Sequence, residues 1–395
     1  MQTNGPTSAR ERYVILDALR GCALLGIALA NFPEFALWTF LSADEQAALP
    51  TAQVDTVVHY LQYLLVDGKF YTLFSLLFGI GFALILQRHS LLLFGRRMLV
   101  LLLIGVAHLL FVWNGDILAL YAVGGLLLML MNRLRDRVLA VVGVLLLLLP
   151  IGLDALGVSC ADALYGAWWR VAAAKGITAD NFASWLRDAQ SYQQMYAFLQ
   201  QGAVERMWEF AEGHRLPKVL GLFILGYLIG RHRLFASLER LPLRRVAVWS
   251  LAVGVPLSVL YAWSSVAGRP FGATVHALLY AFSVVPLAVG YAVLLCLLYL
   301  RRPDSRWFRL LAAPGRMALT CYLSQSLVGI LLFYGVGLGL GTRLGLVWVE
   351  LVAVAVFVLQ VVCCQWWLRR FRFGPVEWGW RMLTYGRRFS LQRYK

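Results

Sequence analysis

Of 395 residues, 61% are hydrophobic and only 14% are charged, with a formal net charge of +16. Soluble domains are roughly half apolar and about a quarter charged, so an ordinary soluble fold is excluded. Several apolar runs reach the ~20 residues needed to cross a hydrocarbon core of about 30 Å. They lack strand-like alternation, and backbone groups in lipid must be satisfied within the segment, so the fold class is an all-α polytopic membrane protein.

Ten transmembrane helices are predicted, over residues 14–38, 69–87, 97–113, 116–132, 138–157, 217–235, 246–266, 273–300, 317–340 and 346–368. Ahead of the first lie Arg10 and Arg12, and Ala28-Leu29-Ala30 mimics a signal-peptidase site. The apolar stretch nevertheless runs on to Phe40 and holds Asp17 and Arg20, so an uncleaved span is expected. Residues 56–66 are too short to span and read as an amphipathic surface helix ahead of Lys69. The loop 158–216, rich in Trp, Tyr, Gln and Ala, is expected to be partly helical and to lie over the outer end. Residues 371–388 mix aromatics with arginines, as an interfacial tail does. The expected organisation is two five-helix halves, 1–157 and 217–370, joined by the outer loop and followed by the tail 371–395.

With ten spans, the arginines at 10/12, 88/96/97, 133/135/137, 231/233/240/244/245, 301/302/306/309 and 369/370/372 all fall on one side. Asp44, Glu45 and Asp55 fall on the other. By the positive-inside rule both termini are then cytoplasmic, and the charge records topology, with no nucleic-acid partner expected. Cys22, Cys160, Cys296, Cys321, Cys363 and Cys364 show no CxxC spacing and read as packing residues. HExxH, P-loop and nucleophile-elbow motifs are missing, and neither a metal site nor a tightly bound cofactor is expected.

The most informative stretch is 96–125, two spans folded back on Trp113-Asn114-Gly115-Asp116. Ionisable groups within a span are costly and mark sites by default. If the turn centres between Asn114 and Gly115, His108 and Tyr121 are level, about 9 Å below it at 1.5 Å per residue. His108 is also eleven residues, about 16 Å, from Arg97, in the outer third of the membrane and within reach of an outer cavity. Histidine suits proton shuttling near neutral pH, and Asp116 is placed to orient it, although depth alone leaves them several Å apart. The alternative is a histidine bonded to a neighbouring helix with Asp116 capping the next one.

Asp17 and Arg20 share a helix face at the cytoplasmic end, either as an ion pair or as part of an anion site, and Asn31 lies higher in that span. Lys69 either snorkels or faces a cavity and attracts an anion. Arg96, Arg97 and Arg316 sit at cytoplasmic helix starts, where guanidinium forks suit phosphates or simply orient the chain. The ninth span carries Thr320, Tyr322, Ser324, Gln325 and Ser326, polar enough to face the bundle interior.

Five motifs resemble the YeiB family of bacterial membrane proteins across nearly the whole chain. They are Asp17-x-x-Arg20-Gly21 with Gly26 and Asn31, the run from Lys69 to Gly79, and Gly105-x-x-His108 followed by Trp113-x-Gly115-Asp116. The others are Gly315-Arg316-Met317-Ala318-Leu319-Thr320-x-Tyr322-Leu323-x-Gln325 and Gly374-Pro375-x-Glu377-Trp378-x-Trp380-Arg381. The resemblance implies a multi-pass protein of the bacterial inner membrane. More distantly, the chain is similar to transmembrane acyltransferases, among them heparan-glucosaminide acetyltransferase. That likeness implies transfer of an acyl group from a cytosolic thioester such as acyl-coenzyme A, through an intramembrane histidine, to an acceptor outside. His108, Asp116 and Tyr121 would then be catalytic. Asp17, Arg20, Asn31, Lys69, Arg96, Arg97, Arg316 and Gln325 would bind donor or substrate. The rival expectation is a proton-coupled transporter of a small solute, although repeated halves and broken midplane helices are not evident in the sequence.

Overall fold

The computed structural model describes residues 13–157 and 161–392; Arg10, Arg12 and Cys160 lie outside the described residues. Among these residues there is no strand, only an isolated bridge between Phe371 and Gln392. The helices in chain order are α1 (Val14–Phe35), α2 (Ala43–Ala47), α3 (Ala52–Leu65), α4 (Lys69–Leu86), α5 (Leu91–Phe111), α6 (Leu118–Met131) and α7 (Asp136–Ala155). Then follow α8 (Asp162–Ala174), α9 (Phe182–Arg187), α10 (Tyr192–Glu212), α11 (Arg215–Arg231), α12 (Leu243–Val266) and α13 (Gly272–Arg301). The chain closes with α14 (Arg306–Arg316), α15 (Ala318–Phe333), α16 (Leu346–Arg370) and α17 (Pro375–Tyr385).

Among the described residues, seven helical stretches are long and apolar enough to cross a membrane: α1, α3 with α4, α5, α7, α12, α13 and α16. The pair α14 and α15, bent by 76°, makes an eighth if taken as one span. The other two predicted spans correspond to α6 and α11, which are shorter at 14 and 17 residues. The segment 56–66 is no free surface helix. α3 runs into α4 as one 35-residue apolar stretch, and the Ser258 and Tyr60 hydroxyls donate to Leu64 O and Val259 O, tying α3 to α12.

The ninth span also departs from expectation. Expected over 317–340, it is a helix only to Phe333 and is preceded by α14, bent from it at Met317 with Pro314 in the last turn of α14. Breaking a helix inside a bundle strands amides that a continuous helix would satisfy. Here the Glu377 carboxylate of α17 accepts from Leu319 N at 2.8 Å and Thr320 N at 3.0 Å. Beyond Phe333 the chain folds back, with the Leu338, Leu340 and Gly341 amides donating to Leu331, Leu332 and Phe333 carbonyls, so 334–340 is not helical.

Small residues set the tightest helix crossings, as membrane packing favours. Gly21 of α1 lies on the Leu311 carbonyl of α14, and Gly315 on the Asp17 carbonyl, so a side chain at either would collide with backbone. Contacts gather the arginine-bearing helix ends together: Ile15, Phe235, Leu243, Cys296 and Phe308 share one apolar cluster, Arg231 pairs with Asp136, and Arg233 donates to Gln87. At the other end α8, α9 and α10 close over the bundle, stacked through Trp168, Trp169 and Trp208.

Candidate functional site

The α5–α6 hairpin builds a three-residue chain. As α5 ends, the amides of Val112 and Trp113 both donate to the His108 carbonyl at 2.9 Å, and the non-helical segment to Ile117 curls back. Asp116 Oδ1 accepts from Ala119 N at 2.9 Å, capping α6. That curl brings Asp116 Oδ2 to 2.9 Å from His108 Nδ1, closer than helical depth implies. On the other side of the ring, His108 Nε2 lies 3.0 Å from Ser326 Oγ of α15. All three residues are buried, at 3%, 1% and 0% exposure. With Nδ1–H donating to the carboxylate, Nε2 accepts the serine proton, the tautomer a proton-accepting imidazole needs.

Tyr121 is not part of this chain. Its hydroxyl lies 2.6 Å from Ser75 Oγ, so equal depth did not bring it to His108. Nor is His108 open to a cavity. Its ring is 5.5 Å, centroid to centroid, from that of Tyr322, and Tyr322 rather than His108 faces the interior space.

That space is a cavity of about 710 Å³ between the two ends of the bundle. Asp17, Arg20, Asn31, Arg97, Arg316 and Tyr121 all line it. Arg20 Nη1 is 2.9 Å from Asp17 Oδ1. Arg97 packs its guanidinium 3.8 Å from the centre of the Trp380 ring, whose Nε1 donates to Arg97 O. Arg88 and Arg381 add two further cations at this end, opposed by Asp17 and Glu377.

Three expected ligand residues lie elsewhere. Lys69 is fully buried, donates to Tyr63 O at 2.5 Å and sits against the Tyr261 ring, so its charge is spent within the bundle. Gln325 donates to Gln360 Oε1 at 3.0 Å and bridges α15 to α16. Arg96 is exposed and outside the cavity. Conversely, the tail is more than an interfacial anchor. α17 supplies Glu377, Trp380 and Arg381 to the cavity wall, and its own Tyr385 meets His89 at 3.1 Å. These residues stood in a recognisable motif, but nothing in a sequence tells how far a terminal helix folds back.

At the opposite end α10 grips the hairpin. Asn114 Nδ2 donates to Glu205 Oε2 at 3.2 Å, and Arg206 donates to Asp116 O at 3.0 Å while pairing with Glu209. Burial pushes the Glu205 carboxyl up to about 8, with Glu209 adding to the shift. Glu34, Gly115 and Arg206 line both the main cavity and a side chamber of about 180 Å³ holding Glu205 and Glu209. Glu205, Arg206 and Glu209 were not singled out from the sequence, because a residue in the loop 158–216 carries no depth signal.

Residues 229–387 match the family described as "Protein of unknown function (DUF418)". The "Uncharacterized protein YeiB" of Escherichia coli (strain K12) is 31% identical over 95% of this chain and 96% of its own. The chain belongs to the YeiB family. It is also 29% identical to the "Uncharacterized protein YxaH" of Bacillus subtilis (strain 168), over 98% of this chain and 97% of that one. No solved structure matches.

Proposed function

We propose that this chain is an acyltransferase-like protein of the bacterial inner membrane, with ten crossings counting α6, α11 and the bent pair, and both termini cytoplasmic. In this reading the arginine-lined end of the cavity faces the cytosol and holds the phosphates of an acyl-coenzyme A donor. The observation that carries it is the convergence of Arg20, Arg88, Arg97, Arg316 and Arg381, from five separate segments, on one cavity mouth. Forked guanidinium groups suit such phosphates. The acyl chain then lies along the cavity toward Tyr121 and Tyr322.

His108 is the base. Its Nε2 exchanges Ser326 for the hydroxyl or amine of the acceptor when the Tyr322 ring moves aside, and takes that proton. The acceptor forms its bond to the acyl carbon as the thiolate leaves, and the thiolate receives the proton from Nε2. Asp116 holds Nδ1–H and stabilises the imidazolium, as a carboxylate does in related proton relays. A positioned base of this kind supplies about 10²–10⁴-fold. In proteoliposomes loaded with acetyl-coenzyme A and nucleophile-bearing acceptors, His108→Ala is expected to abolish transfer while the protein stays folded. Unchanged turnover would sink this reading.

One observation favours a second reading, a proton-coupled transporter. The bent pair α14 and α15 breaks a span beside the cavity, and broken helices are a mark of carriers. Proton-dependent solute uptake without thioester binding would select it.

A further inference from the structure

Ionisable groups inside this bundle mostly have partners: Arg20 with Asp17, Arg206 with Glu209, Asp116 with His108. Arg215 and Lys218, one turn apart at the start of α11, are different. Both face the cavity at the end away from the arginine-lined mouth. Arg215 packs against the Tyr71 ring, and Lys218 donates to Gly213 O at 2.9 Å and sits over the Tyr280 ring. Neither forms an ion pair among the described residues.

The surrounding groups do not cancel them. Arg206 and Arg269 add two more cations to this end of the wall, against the carboxylates of Glu34 and Asp67. Asp67 already accepts from the Tyr261 hydroxyl at 2.6 Å, Asp154 lies 3.1 Å from His214, and Glu209 is held by Arg206. His276 meets the Ser264 hydroxyl at 3.2 Å. The Tyr71 hydroxyl, itself on the cavity wall, is buried without a hydrogen-bond partner. A guanidinium, an ammonium held only by the Gly213 carbonyl and an idle hydroxyl facing the cavity form a donor set without a paired anion, and uncompensated charge away from water is costly.

We infer that Arg215, Lys218 and the Tyr71 hydroxyl form a second anion site, which holds a phosphate or carboxylate on the acceptor while the donor occupies the arginine-lined mouth. The inference rests on the acyl-transfer reading for the word acceptor, but the site itself does not. It narrows the acceptor to an anionic molecule whose hydroxyl or amine reaches the middle of the cavity.

The test is calorimetric titration of the purified full-length protein in detergent with orthophosphate. Two sites per chain are expected. Arg215→Gln with Lys218→Gln removes one and leaves the other; Arg97→Gln weakens the other by about tenfold or more, the loss of a charge-assisted bond. Arg215→Lys, which keeps the charge, retains both sites and guards against a folding defect in the double variant. Wild-type binding by the double variant overturns the inference. One site that is lost with Arg97→Gln and unaffected by the double variant also overturns it while leaving the donor reading intact. One site lost only in the double variant supports the inference and removes the donor site. Repeating the titration in phospholipid nanodiscs identifies the natural anion: binding lost there assigns the site to a lipid phosphate, and binding retained assigns it to a soluble acceptor.

Discussion

The hairpin chain and the cavity mouth resolve the same problem in opposite ways. His108, Asp116 and Ser326 are costly groups that satisfy one another and are shut away from the cavity. Arg97, a few turns down the same helix, has an aromatic face but no carboxylate paired with it among the described residues, and it opens onto the cavity. One helix therefore carries a self-contained proton relay and an unmatched cation. The contrast teaches that burial cost alone does not mark a binding residue. A paired group reports on positioning or chemistry, and an unpaired one facing space reports on a ligand.

The contrast breaks most sharply at His108. His108→Ala is expected to cost about 10²–10⁴-fold in transfer, and Arg97→Ala to act on donor affinity instead, a split visible as kcat against KM. Next in size is Gly315→Val, which drives a side chain into the Asp17 carbonyl and separates α1 from α14. A loss of a few kcal/mol is expected for such a backbone collision, read as a fall in Tm with donor binding lost at the same time, because Arg20 and Arg316 share that crossing. Ser326→Ala removes one hydrogen bond from a buried imidazole and is expected to cost about 1–3 kcal/mol, leaving donor binding unchanged in a thermal-shift titration.

The smallest effect concerns α10. Because the folded state holds Glu205 up near 8 against an ordinary 4.5, the folded protein binds the extra proton across that window. Stability therefore falls as pH rises from about 4.5 to 8 and is greatest below it. Glu205→Gln is expected to flatten this slope in Tm measured against pH. An unchanged slope would contradict the assignment of this titration to Glu205.

The parts of this arrangement legible in the sequence were those where an ionisable group interrupts an apolar run. His108, Asp116, Arg20, Arg97 and Arg316 stood out for that reason, whereas the tight turn expected at 113–116 is a longer non-helical segment between Phe111 and Leu118. The pairing of His108 with Ser326 was not legible, since a helical serine is common and its partner lies 218 positions away. Lys69 misled because a lysine at a span start looks the same whether it meets water, a ligand or the Tyr63 carbonyl. Arg215 and Lys218 were hidden because they border a loop, where periodicity gives no depth, and Arg381 stood in a motif whose place in the fold a tail does not disclose. The break at Met317 was likewise masked, since Pro314 and Gly315 lay in what read as a loop.

The most direct measurement is equilibrium binding of acetyl-coenzyme A to the purified protein, compared with Arg97→Ala and Arg381→Ala. Saturable binding to the parent chain that weakens by about tenfold or more in both variants is the expected result. No binding, or binding indifferent to both arginines, would contradict the donor site on which the acyl-transfer reading rests.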